Sequence, residues 1–502
     1  MTYADTKRRI ILALIFIGLS GCQSLHTQKA ASKDSKGTGT AENPYILYTI
    51  EEVQAIGKNK DSLSAHYRLG CDIDASNTIN WNDGAGLTPI GSTVWKEHQG
   101  NDSDYQGIYL GFNGTFDGSG YTINNLYINL SKTPFGGLFD ILGKSACIKN
   151  LGLQNCNISV IYKYPDDATD LCSAHAGGIT GSNFGTVINC HVTGNISALL
   201  LDKEDHSNEG PTEEIQRILS DTSAYAGGIA GCGAGIVVNC FSEGKFSATA
   251  KGERMGAYAG GIIGDTQVSL DLYLMLNISR GIVTTCHSNG NVSAVSLESI
   301  AQAGGIIGRN GSIIDNCFAT GTVSTTGHCS ASGGLVGDNK HIVYCSYATG
   351  NATAVSTDCF SYAGGLSGTN DSIINNCYAT GNISASSESN KVYAGGGIGR
   401  NENLITNSYA TGSVSAVGGS ELIYMGGFSG YNKHGTIKDC FWDINTSDTE
   451  VSDGGTGLTT QKMLQEDTFT AADWDFMGTW IIVPSETYPY LKTLGIIQTQ
   501  NH

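Results

Sequence analysis

Short apolar runs separated by Gly, Asn, Ser and Thr fill the chain from residue 136 to 440. Three recur in each copy, around Gly-Ile-Ile-Gly, Ile-Ile-x-Asn-Cys-Phe/Tyr and Asn-Ile-Ser-Ala, as in Gly304–Ser324 and Gly364–Ala385. Runs this short, rich in β-branched residues and bounded by turn formers, predict strands. Variants of Ala-Gly-Gly-Ile/Leu-x-Gly begin at Gly177, Gly227, Gly260, Gly304, Gly333, Gly364, Gly395 and Gly426, with a degenerate first copy at Gly136. The last four starts are 31 residues apart, so one structural unit is copied. A lone copy of that size cannot bury a core. Stacked copies can, because each strand then pairs with its equivalent about 4.8 Å away. The pattern predicts an all-β fold: a right-handed parallel β-helix, or β-solenoid, of about 30-residue, three-strand rungs capped at both ends. About nine such rungs, with four less regular ones before them, would make a rod roughly 60 Å long.

In-register stacking turns each repeated residue into a column. Asn183, Asn310, Asn339, Asn370, Asn401 and Asn432 each lie two residues after the Gly that closes the first run. An Asn there tolerates a left-handed turn and can pass its amide hydrogen bond to the next rung, which predicts an internal ladder. A row of amides reading a ligand is the functional alternative. Cys190, Cys240, Cys286, Cys317, Cys377 and Cys440 form a second column in which Ser346 and Ser408 alternate with the thiols. Free Cys behaves as a small buried hydrophobe, so these are expected to be reduced core thiols. Cys329 and Cys359, in the variable turns of consecutive rungs, are the expected disulfide pair. Tyr225, Tyr258, Tyr362, Tyr393 and Tyr424 form an aromatic column, and Phe241, Phe318, Tyr347, Tyr378, Tyr409 and Phe441 another. Either a sugar-binding strip or a face stiffened by ring stacking would produce such columns.

The repeats resemble the bacterial GLUG-motif proteins, named for the Gly-Leu-x-Gly core seen at Gly334–Gly337 and Gly365–Gly368. The flanks agree, with Gly37–Tyr45, Leu69–Asp74 and Gly114–Ile123 on the N side and Gly454–Thr460 and Tyr488–Leu491 on the C side. Such repeats occur in adhesins, in large surface proteins and as an accessory region of some IgA-cleaving metallopeptidases. The resemblance therefore implies a surface role and leaves the activity open.

Composition fits this picture. Sixty-eight Gly and only 7 Pro suit a turn-dense β architecture. A net charge of −18, with no basic cluster beyond the extreme N-terminus, argues against nucleic acid as a partner. At that N-terminus Lys7–Arg9 precedes the apolar Ile10–Phe16 run and then Leu19-Ser20-Gly21-Cys22. The run is too short to span a bilayer, and the tetrapeptide resembles a lipobox. Residues 1–21 are expected to be a lipoprotein signal peptide, Cys22 the lipid attachment point and 22–40 a flexible tether. The protein would then be exported and lipid-anchored at the outer membrane or cell surface. Residues 41–135 should cap and start the solenoid, 136–440 hold the GLUG repeats, and 441–502, with Trp442, Trp474 and Trp480, cover its open C-terminal edge.

The search for chemistry finds no HExxH, no convincing nucleophile elbow and no Cys/His spacing for zinc. Arg309, Asp338, Lys340, Arg400, Glu402 and Lys433 fall near one turn, but their charge changes from rung to rung, as on a solvated edge. Asp72, Asp74 and Asp117 suit turn hydrogen bonding better than calcium. No catalytic residue, metal or cofactor is expected. Four irregular segments, Lys163–Cys172, Leu199–Ser223, Thr266–Arg280 and Ser296–Gln302, occupy neighbouring rungs and could gather into one patch; Pro211–Leu219 reads as a short capped helix. The reading is a non-enzymatic surface protein that presents an extended binding face to a glycan or protein on host or neighbouring cells. The alternatives are a polysaccharide lyase- or hydrolase-like β-helix enzyme with a site formed by the insertions, and the accessory region of a surface peptidase system.

Overall fold

A computed structural model describes residues 36–58, 60–91, 111–163, 173–202, 222–267, 280–419 and 423–492. They form a β-solenoid with three long sheets. One side, sheet A, is a single file of 12 strands from Tyr45–Leu47 to Thr436–Lys438. Sheet C is a file of nine, from Phe139–Leu142 to Ser429–Asn432. Sheet B, the broad side, has 25 strands because most turns of the chain contribute several segments to it. The strands of these sheets pair in parallel, and Asn370↔Asn401, Ile374↔Ile405, Tyr378↔Tyr409 and Ile383↔Val414 show equivalent residues of successive copies placed one above the other. Twelve turns with eleven steps of about 4.8 Å give a stack roughly 53 Å long.

The path of one turn shows how the copied sequence becomes a corner-bound coil. Ser367–Asn370 lies in sheet C, Ile374–Asn375 in sheet A, and Tyr378–Ala379, Ile383–Ser387 and Val392–Gly395 in sheet B. The run read in the sequence as one strand, Ile-Ile-x-Asn-Cys-Phe/Tyr, is therefore split between two sheets. The break falls on its Asn. Asn150, Asn189, Asn239, Thr285, Asn316, Cys345, Asn376, Asn407 and Asp439 form a column with φ between 44 and 56°. Asn adopts that left-handed conformation at little cost, which explains its prevalence there. The Asn183 column, where the sequence suggested a left-handed turn, shows none.

The glycine pair of the motif is a matter of space. A Cβ on Gly364 would lie 2.0 Å from the Ser367 carbonyl oxygen, and one on Gly365 2.2 Å from that of Gly396 in the next turn. No side chain fits where the backbone turns from sheet B into sheet C against its neighbour.

The core is one continuous apolar cluster running from Leu47 to Trp442. At the N-terminal end the short helix Ile50–Gln54, capped by Thr49, buries Ile50 and Val53 in it. At the other end Trp442 occupies the space over Gly427, and Thr456–Leu458 pairs in parallel with Phe441–Asp443 as a partial further turn. The rest of the tail behaves differently from the expected end cap. Trp474 and Trp480 pack on the side of the solenoid, against Tyr378 and Tyr409, in a second apolar cluster. They reach it because the tail doubles back, anchored by Trp480 Nε1 donating to Asn376 Oδ1 at 3.3 Å and Tyr409 Oη donating to the Pro489 carbonyl at 2.7 Å.

Candidate binding faces

The asparagine column is an interior ladder over its regular part. Nδ2 of Asn310, Asn339, Asn370 and Asn401 each donates to Oδ1 of the next Asn, ending at Asn432, at 2.7–2.8 Å. Asn310, Asn339, Asn370 and Asn401 are fully buried, so no ligand reads their amides. Asn183 is buried too, but stands apart. Gly233 occupies the next turn, and Asn183 Nδ2 has no hydrogen-bond partner.

The thiol column explains its own exchange with serine. Cys190, Cys240, Cys286, Cys317, Cys377 and Cys440 are free and buried. Each Sγ donates to the carbonyl two residues back across the left-handed corner, at 3.2–3.4 Å. Ser346 and Ser408 make the same bond with Oγ, at 2.6 and 2.8 Å. Cys329 and Cys359 form a disulfide between adjacent turns, with Cα atoms 4.8 Å apart. Among the described residues these two and His328 are the one group whose donor atoms converge within 4.8 Å, and the disulfide uses both sulfurs. Cys147 is disulfide-bonded as well. Cys22 lies outside the described residues.

The five tyrosines fall into two stacks on the strand that leads into sheet C. The register runs Phe135, His175, Tyr225, Tyr258, Gln302, Ala331, Tyr362, Tyr393, Tyr424. Tyr225 and Tyr258 stack at 5.4 Å, and Tyr362, Tyr393 and Tyr424 at 4.9 Å between neighbours. Within each stack the facing ring surfaces are taken by the neighbouring rings, Arg309 lies over Tyr258, and Tyr225, Tyr258 and Tyr393 are buried. This stacking stiffens the corner and leaves little flat ring surface for a pyranose.

Beside it, on sheet C, stand Asp265, Arg309, Asp338, Thr369 and Arg400 in successive turns. Of the charges expected on a solvated edge, Asp338 is buried, and so is Asp265, which the charge pattern did not single out. Arg309 bonds Asp265 and lies 4.3 Å over the Tyr258 ring; Asp338 accepts from Thr369 Oγ1 at 2.6 Å, with Lys340 Nζ 3.2 Å away. Burial opposes the Arg309 charge, but Asp265, Tyr258 and Tyr225 lift the guanidinium well above its ordinary range. Each carboxylate is held by a cation or a hydroxyl, an arrangement that suits a structural spine better than proton transfer. His175 Nδ1 lies 3.1 Å from Cys232 Sγ, a contact that could suggest a nucleophile and its base. Burial pushes the imidazole down to about 3 and the thiol up to about 12, so both groups stay neutral.

A third face is built by chain ends. In successive turns the strands Gly152–Lys163, His191–Leu201 and Phe241–Lys251 are long and in register to their tips. With the bent strands Asn291–Gly304 and Val323–Gly333 they frame a lateral cleft of about 790 Å³. Lys163, Asp202, Arg254, Glu298, His328 and Asp358 bring both signs of charge to its wall. Leu297, Ile300 and Phe360 are exposed along the same edge. Three of the four irregular segments begin or end here. The described ends of the fourth, Thr266–Arg280, lie at another corner, between Ile263–Asp265 of sheet C and Ile282–Thr284 of sheet A; the bodies of the longer insertions lie outside the described residues. The helix read at Pro211–Leu219 lies outside the described residues.

Fold and faces together define an elongated, multi-turn parallel β-solenoid with a loop-built side cleft. Within that class the chain carries a GLUG motif: the family described as "The GLUG motif" matches residues 301–324. Two relatives match about a third of the chain each. "Halomucin" of Haloquadratum walsbyi is 36% identical over 160 residues, 32% of this chain and 2% of that protein. A "Putative Gly-rich membrane protein" of Evansella cellulosilytica is 29% identical over 165 residues, 33% of this chain and 16% of that protein. The chain thus matches only a small part of either relative. The crystal structure of a "putative immunoglobulin A1 protease" from Bacteroides ovatus aligns over 91% of this chain and 94% of its own, at 19% identity and a TM-score of 0.38.

Proposed function

We propose that this protein is a lipid-anchored, non-enzymatic surface solenoid that binds a glycan or protein at its lateral cleft. The observation that carries the reading is the convergence of strand tips from six successive turns on one recess. A rigid ladder positions variable tips there, which is how loops on a scaffold acquire specificity. The mixed charges of the cleft fit a polar ligand. A surface address is supported by the matched relatives' names, "Halomucin" and "Putative Gly-rich membrane protein", and the lipid anchor by the Leu19–Cys22 tetrapeptide.

The test incubates the purified full-length protein with mucins and with bacterial and plant polysaccharides, and reads both retained protein and polymer length. Retention on an intact polymer, lost when Arg254 and Glu298 are both changed to Ala, is expected. Shortening of any polymer would overturn the non-enzymatic reading and favour a carbohydrate-active one. Metabolic labelling with palmitate, abolished by Cys22→Ser, checks the anchor.

A further inference from the structure

The irregular N-terminal turns hold a second recess, with a volume of about 510 Å³. That is the size of a small-ligand site. One wall is Trp81, set between two short 3₁₀ turns, Ser76–Asn80 and Asn82–Gly84. Its indole is half-buried, packing against the core and lining the recess. The facing wall comes from the helix Ile50–Gln54 and the turn after it, which supply Glu51, Gln54 and Lys58.

The frame is fixed before any ligand arrives. The Gln54 amide is locked to the Thr88 backbone in both directions: Nε2 donates to its carbonyl at 2.9 Å, and Oε1 accepts from its N–H at 2.8 Å. Asn82 Nδ2 donates to the Gly86 carbonyl at 2.7 Å and to Thr88 Oγ1 at 3.2 Å. Against this frame, the Glu51 carboxylate, the Lys58 ammonium and the Trp81 indole N–H have no hydrogen-bond partner among the described residues. One aromatic side chain, one acceptor and two donors thus belong to the residues that line this framed space.

We infer that this recess binds a single pyranose residue of a glycan. The C–H face of a pyranose is apolar and packs on an indole, while its ring of hydroxyls both donates and accepts. Vicinal hydroxyls can donate to Glu51 and accept from Lys58, so neither charge is desolvated without a partner. A phosphate or other anion would be opposed by Glu51. A purely apolar ligand would strand both charges. Among the described residues no ring stacks on Trp81, in contrast to the tyrosines, and its indole lines the recess. The inference rests on the surface-binding reading but uses different residues.

Saturation-transfer NMR of the purified full-length protein with methyl glycosides of glucose, galactose, mannose and N-acetylglucosamine tests it. At least one sugar should show strong transfer to the protons of one ring face. Trp81→Ala should weaken its affinity at least about tenfold, and Glu51→Gln by about fivefold. Trp81→Phe should retain binding, and thermal melting of each variant identifies any loss of fold. Glu51 is exposed, so its variant carries the test if Trp81→Ala unfolds. Absence of transfer with every sugar, or binding unchanged by both Trp81→Ala and Glu51→Gln, overturns the inference. Polymer retention lost on changing Arg254 and Glu298 while binding of the small glycosides is indifferent to Trp81 and Glu51 would sink this pocket alone; the converse would sink the cleft alone.

Discussion

Two stretches of one aromatic stack, a single rung-spacing apart, have different surroundings. His191, Phe241, His287, Phe318, Tyr347, Tyr378 and Tyr409 pile ring on ring at 4.7–5.2 Å, with interplanar angles of at most 10°. From Phe318 onward the rings are buried beneath the returning tail. The first three are half-exposed. The asparagine ladder divides at nearly the same place, continuous from Asn310 and broken at Gly233. The even-period C-terminal half thus concentrates buried, repeated contacts, whereas the uneven half gives them up where long strand tips, and the cleft they frame, occur. In a solenoid each turn is stabilised mainly by its neighbours, so one chain can divide labour along its axis.

The sharpest way to break this contrast is to remove a ring from the covered half. Trp480 is fully buried, packs 4.5 Å from Trp474, and contacts both Tyr378 and Tyr409. Trp480→Ala should cost about 4 kcal/mol, the range for emptying a large aromatic site, and free the tail for proteolysis. Phe241→Ala, in the uncovered half, should cost about 1–2 kcal/mol because less surface returns to water. Urea unfolding measures both. Equal effects would mean that the tail is merely draped over the stack.

The ladder offers a smaller but cleaner contrast. Asn370→Ala removes the acceptor of Asn339 Nδ2 and the donor to Asn401 Oδ1, leaving buried polar groups unpaired. The expected cost is about 3 kcal/mol. Asn183→Ala loses one bond, to the Gly185 N–H, and also removes an Nδ2 that has no partner. About 1 kcal/mol is expected there. A comparable loss at the two positions would show that the amides act independently and not as a ladder.

These columns were legible because a solenoid converts sequence period into distance, so residues 31 apart become neighbours. The asparagine ladder, the Cys/Ser alternation and the Cys329–Cys359 pairing all follow from that conversion. Legibility ended where the argument required knowing what covers a surface. Nothing in the spacing of Tyr225 or Tyr393 says whether their faces are free, since stacking and sugar binding need the same period. The left-handed corner could have been found, because Asn189, Asn239, Asn316, Asn376 and Asn407 recur just before the thiol column; an apolar run was read through them as one strand. Trp474 and Trp480, in a tail without repeats, had no register to place them on the side rather than the end. The Trp81 recess lies in the least periodic turns and left no signal beyond one aromatic residue.

The last contrast separates the halves by acidity. His175 is stacked between Phe135 and Tyr225, and burial holds its imidazole at about 3, below the ordinary 6.5. As pH falls through 6.5 the unfolded chain takes up a proton that the folded chain refuses until about 3, so stability declines across that window. Between pH 7 and pH 5 this amounts to about 2 kcal/mol, at about 1.4 kcal/mol per unit. Burial lowers His191 and His287 too, which adds to the trend. Asp140 opposes it: burial raises its carboxyl, so its contribution is complete below the ordinary carboxyl value and fades as pH rises through the folded one. The difference between wild type and His175→Phe isolates the histidine, because Phe suits a column that already holds Phe135. Chemical denaturation at pH 5 and pH 7 should show a flatter dependence for the variant. An unchanged dependence would mean that the imidazole is protonated in the folded stack, and that its burial does not set the acid response of the uneven half.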